Sequence, residues 1–172
     1  MPERIRPKHL LLSFGLGAFS GFLAVVGEIG FIGNTLPLAL ADMTLWTLLL
    51  ASIVAPLVEE SVKPVGLFVA YQEDRPNLTI QQWALLGLMA GLGFALLEDI
   101  LYVLSIVPFG ADAALTLLGM RLLFPVHMIC TTLTGIGYGL WVKTRQPMHF
   151  ILFIAIAMCI HGLFNFSASV VG

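Results

Sequence analysis

The chain is predicted to be an all-α polytopic membrane protein, a bundle of about five transmembrane helices with a cytoplasmic N-terminus and an outside C-terminus. Three observations predict this. Hydrophobic residues make up 59% of the 172 positions and charged residues only 10%, against about 25% charged in average soluble chains. The mean hydropathy is +0.98, which would leave a water-soluble fold with far too much apolar surface. The basic residues also segregate. Arg4, Arg6, Lys8, Arg75, Lys143 and Arg145 fall at the N-terminus or in the second and fourth loops, and the first and third loops have none. That asymmetry orients the bundle by the positive-inside rule. The length suits one transmembrane domain over 1–172, and no basic patch suggests a nucleic-acid partner.

Span 1 is expected over 10–31. The basic segment before it resembles a signal peptide, but the apolar run is too long and has no clear cleavage site, so it reads as a retained helix. Gly15, Gly17, Ala18 and Gly21 permit close helix approach, and Glu28 lies near its far end. A short loop is expected over 33–42. Span 2, over 44–71, is long enough to tilt or to break at Pro56 and Pro64. A polar turn over 72–77 follows. Span 3, over 83–107, carries Gly87, Gly91 and Ala95 at four-residue spacing, a small-residue contact face. Span 4, over 115–142, includes Arg121, Pro125 and His127, and span 5, over 150–170, includes His161 and Asn165. Cys130 and Cys159 both fall in spans and read as small buried hydrophobes.

Function is sought in the polar residues inside these spans, because an ionisable group in hydrocarbon is costly. The stretch Pro56-Leu-Val-Glu59-Glu60-Ser-Val-Lys63-Pro64 holds two carboxylates and one lysine. Lys63 is four residues from Glu59 and three from Glu60, so either can pair with it on one helix face. One lysine leaves a surplus carboxylate. Pro64 deprives the Glu60 carbonyl of its helical partner, and Pro56 does the same for Ser52. Glu98 points toward neighbouring helices from the end of the small-residue face, and Asp99 beside it is a candidate partner for Arg121. His127, Thr131, Thr134 and Tyr138 form a polar stripe on span 4. His161 and Asn165 lie one turn apart on span 5, and an asparagine amide suits a developing oxyanion.

Glu59 and Glu60, Glu98, His127 and His161 thus sit on four spans, each roughly 12 to 18 residues from a membrane edge, which is mid-bilayer depth at about 1.5 Å per residue. Converged, they offer two chemistries. Three side chains can hold Zn²⁺ with an open site for water. Alternatively, a carboxylate activates water directly as general base, without a metal.

These motifs resemble those of the PrsW family of intramembrane proteases, in the wider group of CAAX prenyl endopeptidases and bacteriocin-processing enzymes. The family pattern EExxK, FxxxE, a later histidine and HxxxN is met by Glu59-Glu60-Ser-Val-Lys63, Phe94-Ala-Leu-Leu-Glu98, His127 and His161-Gly-Leu-Phe-Asn165. Lys63 and Glu98 favour the PrsW branch over the prenyl proteases, whose pattern is EExxxR with FxxxH. Some relatives carry a second histidine four residues after the span 4 histidine, and here Thr131 stands there. The resemblance implies a membrane-embedded peptidase that cuts a membrane-protein substrate of anti-sigma-factor type in a prokaryotic plasma membrane. Glu59 or Glu60 is the expected base and Lys63 holds the other. Asn165 assists the oxyanion, and Glu98, His127 and His161 hold Zn²⁺ or position the water. Two competing readings are a proton or ion carrier built on the same groups, and a non-catalytic membrane protein that binds a partner.

Overall fold

The computed structural model describes residues 4–74 and 77–171. Among these, every regular element is helical, and five helical stretches are long and apolar enough to cross a membrane, over Pro7–Phe31, Met43–Glu73, Ile80–Phe109, Ala111–Thr144 and Pro147–Val170. The elements are α1 (Pro7–Ala41), α2 (Met43–Leu49), a π-helical turn (Leu50–Val54), α3 (Ala55–Val62), α4 (Val65–Asp74), α5 (Ile80–Ile106), a 3₁₀ turn (Val107–Phe109), α6 (Ala111–Leu123), α7 (Val126–Thr144) and α8 (Pro147–Val171).

Two expectations need correction. The loop expected over 33–42 is helical up to Ala41, and the chain turns only at Asp42, which caps α2 by accepting from the Leu45 amide at 2.9 Å. Span 4 is not one helix. It breaks at Phe124–Pro125, where Pro125 has φ −76° and ψ 60° and the Val126 amide bonds the Phe124 carbonyl at 2.8 Å, an inverse γ-turn. The proline does more than free one carbonyl: it redirects the chain, and His127 falls in the first turn of α7. Span 2 breaks at Pro64 as expected and carries a π-turn just before Pro56.

Close helix contact comes from residues without side chains. A Cβ on Gly87 would lie 2.2 Å from the Thr131 carbonyl oxygen, and one on Gly91 2.6 Å from that of His127. Gly17 and Gly93 bring α1 equally close to α5. Lipid offers no hydrophobic drive for helices to associate, so such backbone proximity maximises dispersion and polar contact. The seam also fixes position: Gly91 sets the His127 backbone against α5, two turns before Glu98.

One end of the bundle is filled by aromatic residues. Trp83 and Tyr138 are fully buried with ring centroids 4.9 Å apart, and Phe68, Tyr71, Trp141 and Phe150 pack around them. At that end Lys8 pairs with Glu73 at 3.3 Å, and Arg145 donates to the Tyr71 hydroxyl at 3.1 Å. The basic segments at the N-terminus and in the fourth loop therefore both engage the end of α4. Arg75 and Pro76 of the second loop lie outside the described residues. Cys130 is buried as expected, whereas Cys159 is exposed on the outside of α8.

Gly91→Ala should destabilise the bundle by about 1–3 kcal/mol, because the added methyl meets backbone. Gly15→Ala should be neutral, since nothing lies within 4 Å of where its methyl would sit. Denaturant titration in detergent checks the pair, and equal stabilities would refute the seam.

Candidate active site

The centre is built around Lys63, at the end of α3 and fully buried. Its Nζ lies 2.5 Å from Glu60 Oε1, 3.3 Å from Glu59 Oε2 and 2.9 Å from His127 Nδ1. It also sits 4.1 Å from the centre of the Phe94 ring, a cation–π contact. The i,i+3 and i,i+4 spacing read from sequence lets one ammonium hold both carboxylates.

These contacts assign the proton on each histidine. An ammonium only donates, so His127 Nδ1 must accept and its Nε2 carries the hydrogen. That Nε2 faces Glu98 Oε2 at 2.5 Å, a carboxylate that accepts the hydrogen, and an Arg121 terminal nitrogen also lies 3.2 Å from Nε2. His161 Nδ1 lies 2.9 Å from Glu60 Oε1, and the ionised carboxylate again requires Nδ1 to donate, leaving Nε2 bare. The two imidazoles meet edge to face with centroids 4.9 Å apart.

Asn165 has a local explanation. The Ala55 amide reaches back five residues to the Leu50 carbonyl in the π-turn. The Ala51 carbonyl thereby loses its α-helical donor, and the next nitrogen is that of Pro56, which has no hydrogen. Asn165 Nδ2 donates to this carbonyl at 2.9 Å. The neighbouring Ser52 carbonyl packs on Gly162, where a Cβ would come within 2.5 Å. Pro56 thus creates a polar joint between span 2 and span 5, closed by residues of the HxxxN turn.

A cavity of about 210 Å³ opens beside this centre, lined by Glu28, Glu59, Glu98, His127, His161 and Asn165 among others. Glu60 does not line it; it is wholly buried behind Glu59. Every site residue named from sequence therefore comes to one place, on the cavity wall or, for Glu60 and Lys63, directly behind it. Two further residues join them that sequence reasoning missed. Glu28 reaches the cavity from α1, and its signal was a carboxylate inside a span. Arg121 reaches it from α6, ion-paired with both Glu98 and Asp99. The lower part of the span 4 stripe is not part of the site. Thr131 donates to the His127 carbonyl at 2.8 Å and Thr134 to that of Cys130 at 3.1 Å, and Tyr138 belongs to the aromatic cluster.

The donor set suits a divalent cation. Ligand atoms of Glu59, Glu60, His127 and His161 all lie within 4.8 Å of one another, and an ion held at about 2 Å from each would take the place that the Lys63 ammonium occupies among them. Glu60 Oε2 is buried without a hydrogen-bond partner, an orphan acceptor that a cation would satisfy. Glu98 stands outside this foursome, against the far edge of His127 and Arg121.

A helical membrane bundle with Glu and His side chains gathered from five spans around a polar cavity is a membrane-embedded protein equipped to activate water. Comparison places it more closely: a family model described as PrsW family intramembrane metalloprotease matches residues 6–172, nearly the whole chain. The chain belongs to that family and is a peptidase. Comparison with curated proteins and with solved structures returned no match.

Lys63→Met should cost about 3–5 kcal/mol of stability, because it leaves two buried carboxylates without their cation. Asn165→Leu should cost about 1–3 kcal/mol by orphaning the Ala51 carbonyl. Unfolding in detergent measures both, and a stable Lys63→Met protein would contradict this account of the centre.

Proposed function

We propose that this protein hydrolyses a peptide bond in or next to the transmembrane segment of a single-pass membrane protein of anti-sigma-factor type. The observation that supports it most is the shared cavity, on which Glu59, which shares Lys63 with Glu60, stands beside two histidines and an amide. Lys63 lies nearer Glu60 than Glu59, and Glu60 is the more enclosed. Glu59 is therefore the general base, taking the proton of the attacking water on a carboxylate oxygen, while Glu60 is held by Lys63. Asn165 has a second amide hydrogen beyond the one given to Ala51, and this donates to the developing oxyanion. The hydrophobic span walls restrict water to the polar cavity.

The metal is Zn²⁺, held by residues among Glu59, Glu60, His127 and His161, with Glu98 supporting His127. When bound it supplies a Lewis acid that acidifies water and polarises a carbonyl. The bundle lies with the N-terminus in the cytoplasm of a prokaryotic plasma membrane. In that orientation the aromatic cluster faces the cytoplasm and the cavity, bordered by Tyr102 and Ser169 near the opposite helix ends, opens toward the outside. A proton or ion carrier needs a polar path through the other half of the bundle as well, and there Trp83, Tyr138 and their neighbours are closely packed.

Purified protein with a panel of single-pass substrates is the test. Wild type should cut at least one of them, and Glu59→Ala, Glu60→Ala and His161→Ala should each lower the rate at least about 100-fold, the scale of a lost acid–base group. Chelation should abolish cleavage and Zn²⁺ restore it. Full activity in all three variants would exclude this mechanism, and full activity after chelation would exclude the metal.

A further inference from the structure

We propose that Arg121 is a positioning residue of this site, acting on His127 both directly and through Glu98, and that Asp99 in turn positions Arg121. The proposal rests on the role given above to His127. Arg121 stands in the last turn of α6, a helix that packs mainly on α5 and the 3₁₀ turn. The large apolar side chains around it, Leu122, Leu123 and Phe124, are exposed, whereas Arg121 turns inward. Its Nε pairs with Asp99, one terminal nitrogen pairs with Glu98, and its guanidinium carbon lies 4.7 Å from the centre of the Tyr102 ring. A rigid planar fork held at three points has one orientation, which a lysine cannot reproduce.

The consequence falls on His127. Glu98 is tethered by Arg121 on one side and presents Oε2 to the His127 Nε2–H on the other, and a terminal nitrogen of Arg121 itself lies 3.2 Å from that Nε2. Lys63 approaches Nδ1 from the opposite edge. The ring is thus clamped at both nitrogens, with Nδ1 held by Lys63 on the side of Glu59, Glu60 and His161. A carboxylate behind a working histidine fixes its tautomer and direction, and losing such outer support typically costs 10–100-fold in metal affinity or activity. Arg121 also borders two spaces. It lines both the 210 Å³ cavity and a second one of about 350 Å³ on the far side of His127, between α5 and the α6–α7 break. Val126, His127 and Phe164 line both spaces as well.

The experiment compares wild type with Arg121→Lys, Arg121→Gln, Asp99→Asn and the Asp99→Asn/Arg121→Gln double variant. Three readouts are used: Zn²⁺ affinity, kcat and KM on a cleaved single-pass substrate, and the ¹⁵N resonances of His127. Arg121→Lys keeps the charge and should keep the fold. It should nevertheless lower Zn²⁺ affinity and kcat by about 10–100-fold with little change in KM, and should shift or broaden the His127 Nε2 resonance. Asp99→Asn should act in the same direction and less. The double variant should match Arg121→Gln alone, because both changes act along one chain of contacts. Wild-type affinity, kcat and His127 resonances in Arg121→Lys overturn the proposal, as does strict additivity in the double variant. A wild-type protein that neither binds Zn²⁺ nor cuts any substrate sinks the proposed function instead. The His127 resonances then decide this proposal alone, since they require no turnover.

Discussion

A single buried ammonium organises this molecule. Lys63 is surrounded by Glu59, Glu60, His127 and the face of Phe94, with no exposure of its own. Each of these charges would be expensive alone in hydrocarbon. Together they offset one another, but a buried pair repays desolvation only when its geometry is good and the remaining donors and acceptors are used. Here one acceptor is left over, the second oxygen of Glu60, and a surplus of carboxylate faces the cavity. The arrangement is satisfied enough to stand and acidic enough to attract a cation or a proton.

The surrounding bundle exists to hold these groups in register. Glycines on α1, α5 and α7 let backbones touch, which fixes helix positions more tightly than interdigitated leucines would. Proline supplies the departures from regular helix that the site needs. Pro56 forces a π-turn whose orphan carbonyl engages Asn165, tying span 5 to span 2. Pro64 ends α3 directly after Lys63. Pro125 splits span 4, so that His127 and Arg121 approach the centre from two separate helices instead of one face of a single helix. The irregular backbone lies where it borders polar groups, as expected in a membrane.

Much of this was legible in the sequence. Apolar runs between polar turns marked five spans, because a bilayer demands that length of hydrocarbon-compatible helix. Glu59, Glu60, Lys63, Glu98, His127, His161 and Asn165 stood out as ionisable or polar groups inside spans, which are tolerated there when they converge, and they do gather around one cavity. Spacing on one helix anticipated that either carboxylate could pair with Lys63, a local relation set by 3.6 residues per turn; that the ammonium reaches both was decided by the structure. What the tertiary structure alone decided are relations between helices. It set Glu60 behind Glu59, gave Asn165 to the Ala51 carbonyl, turned Glu98 to the outer edge of His127, and brought Glu28 and Arg121 to the cavity. Helical periodicity states which residues share a face. It does not state which face meets which, because that depends on where glycines let two backbones approach and where proline turns the chain.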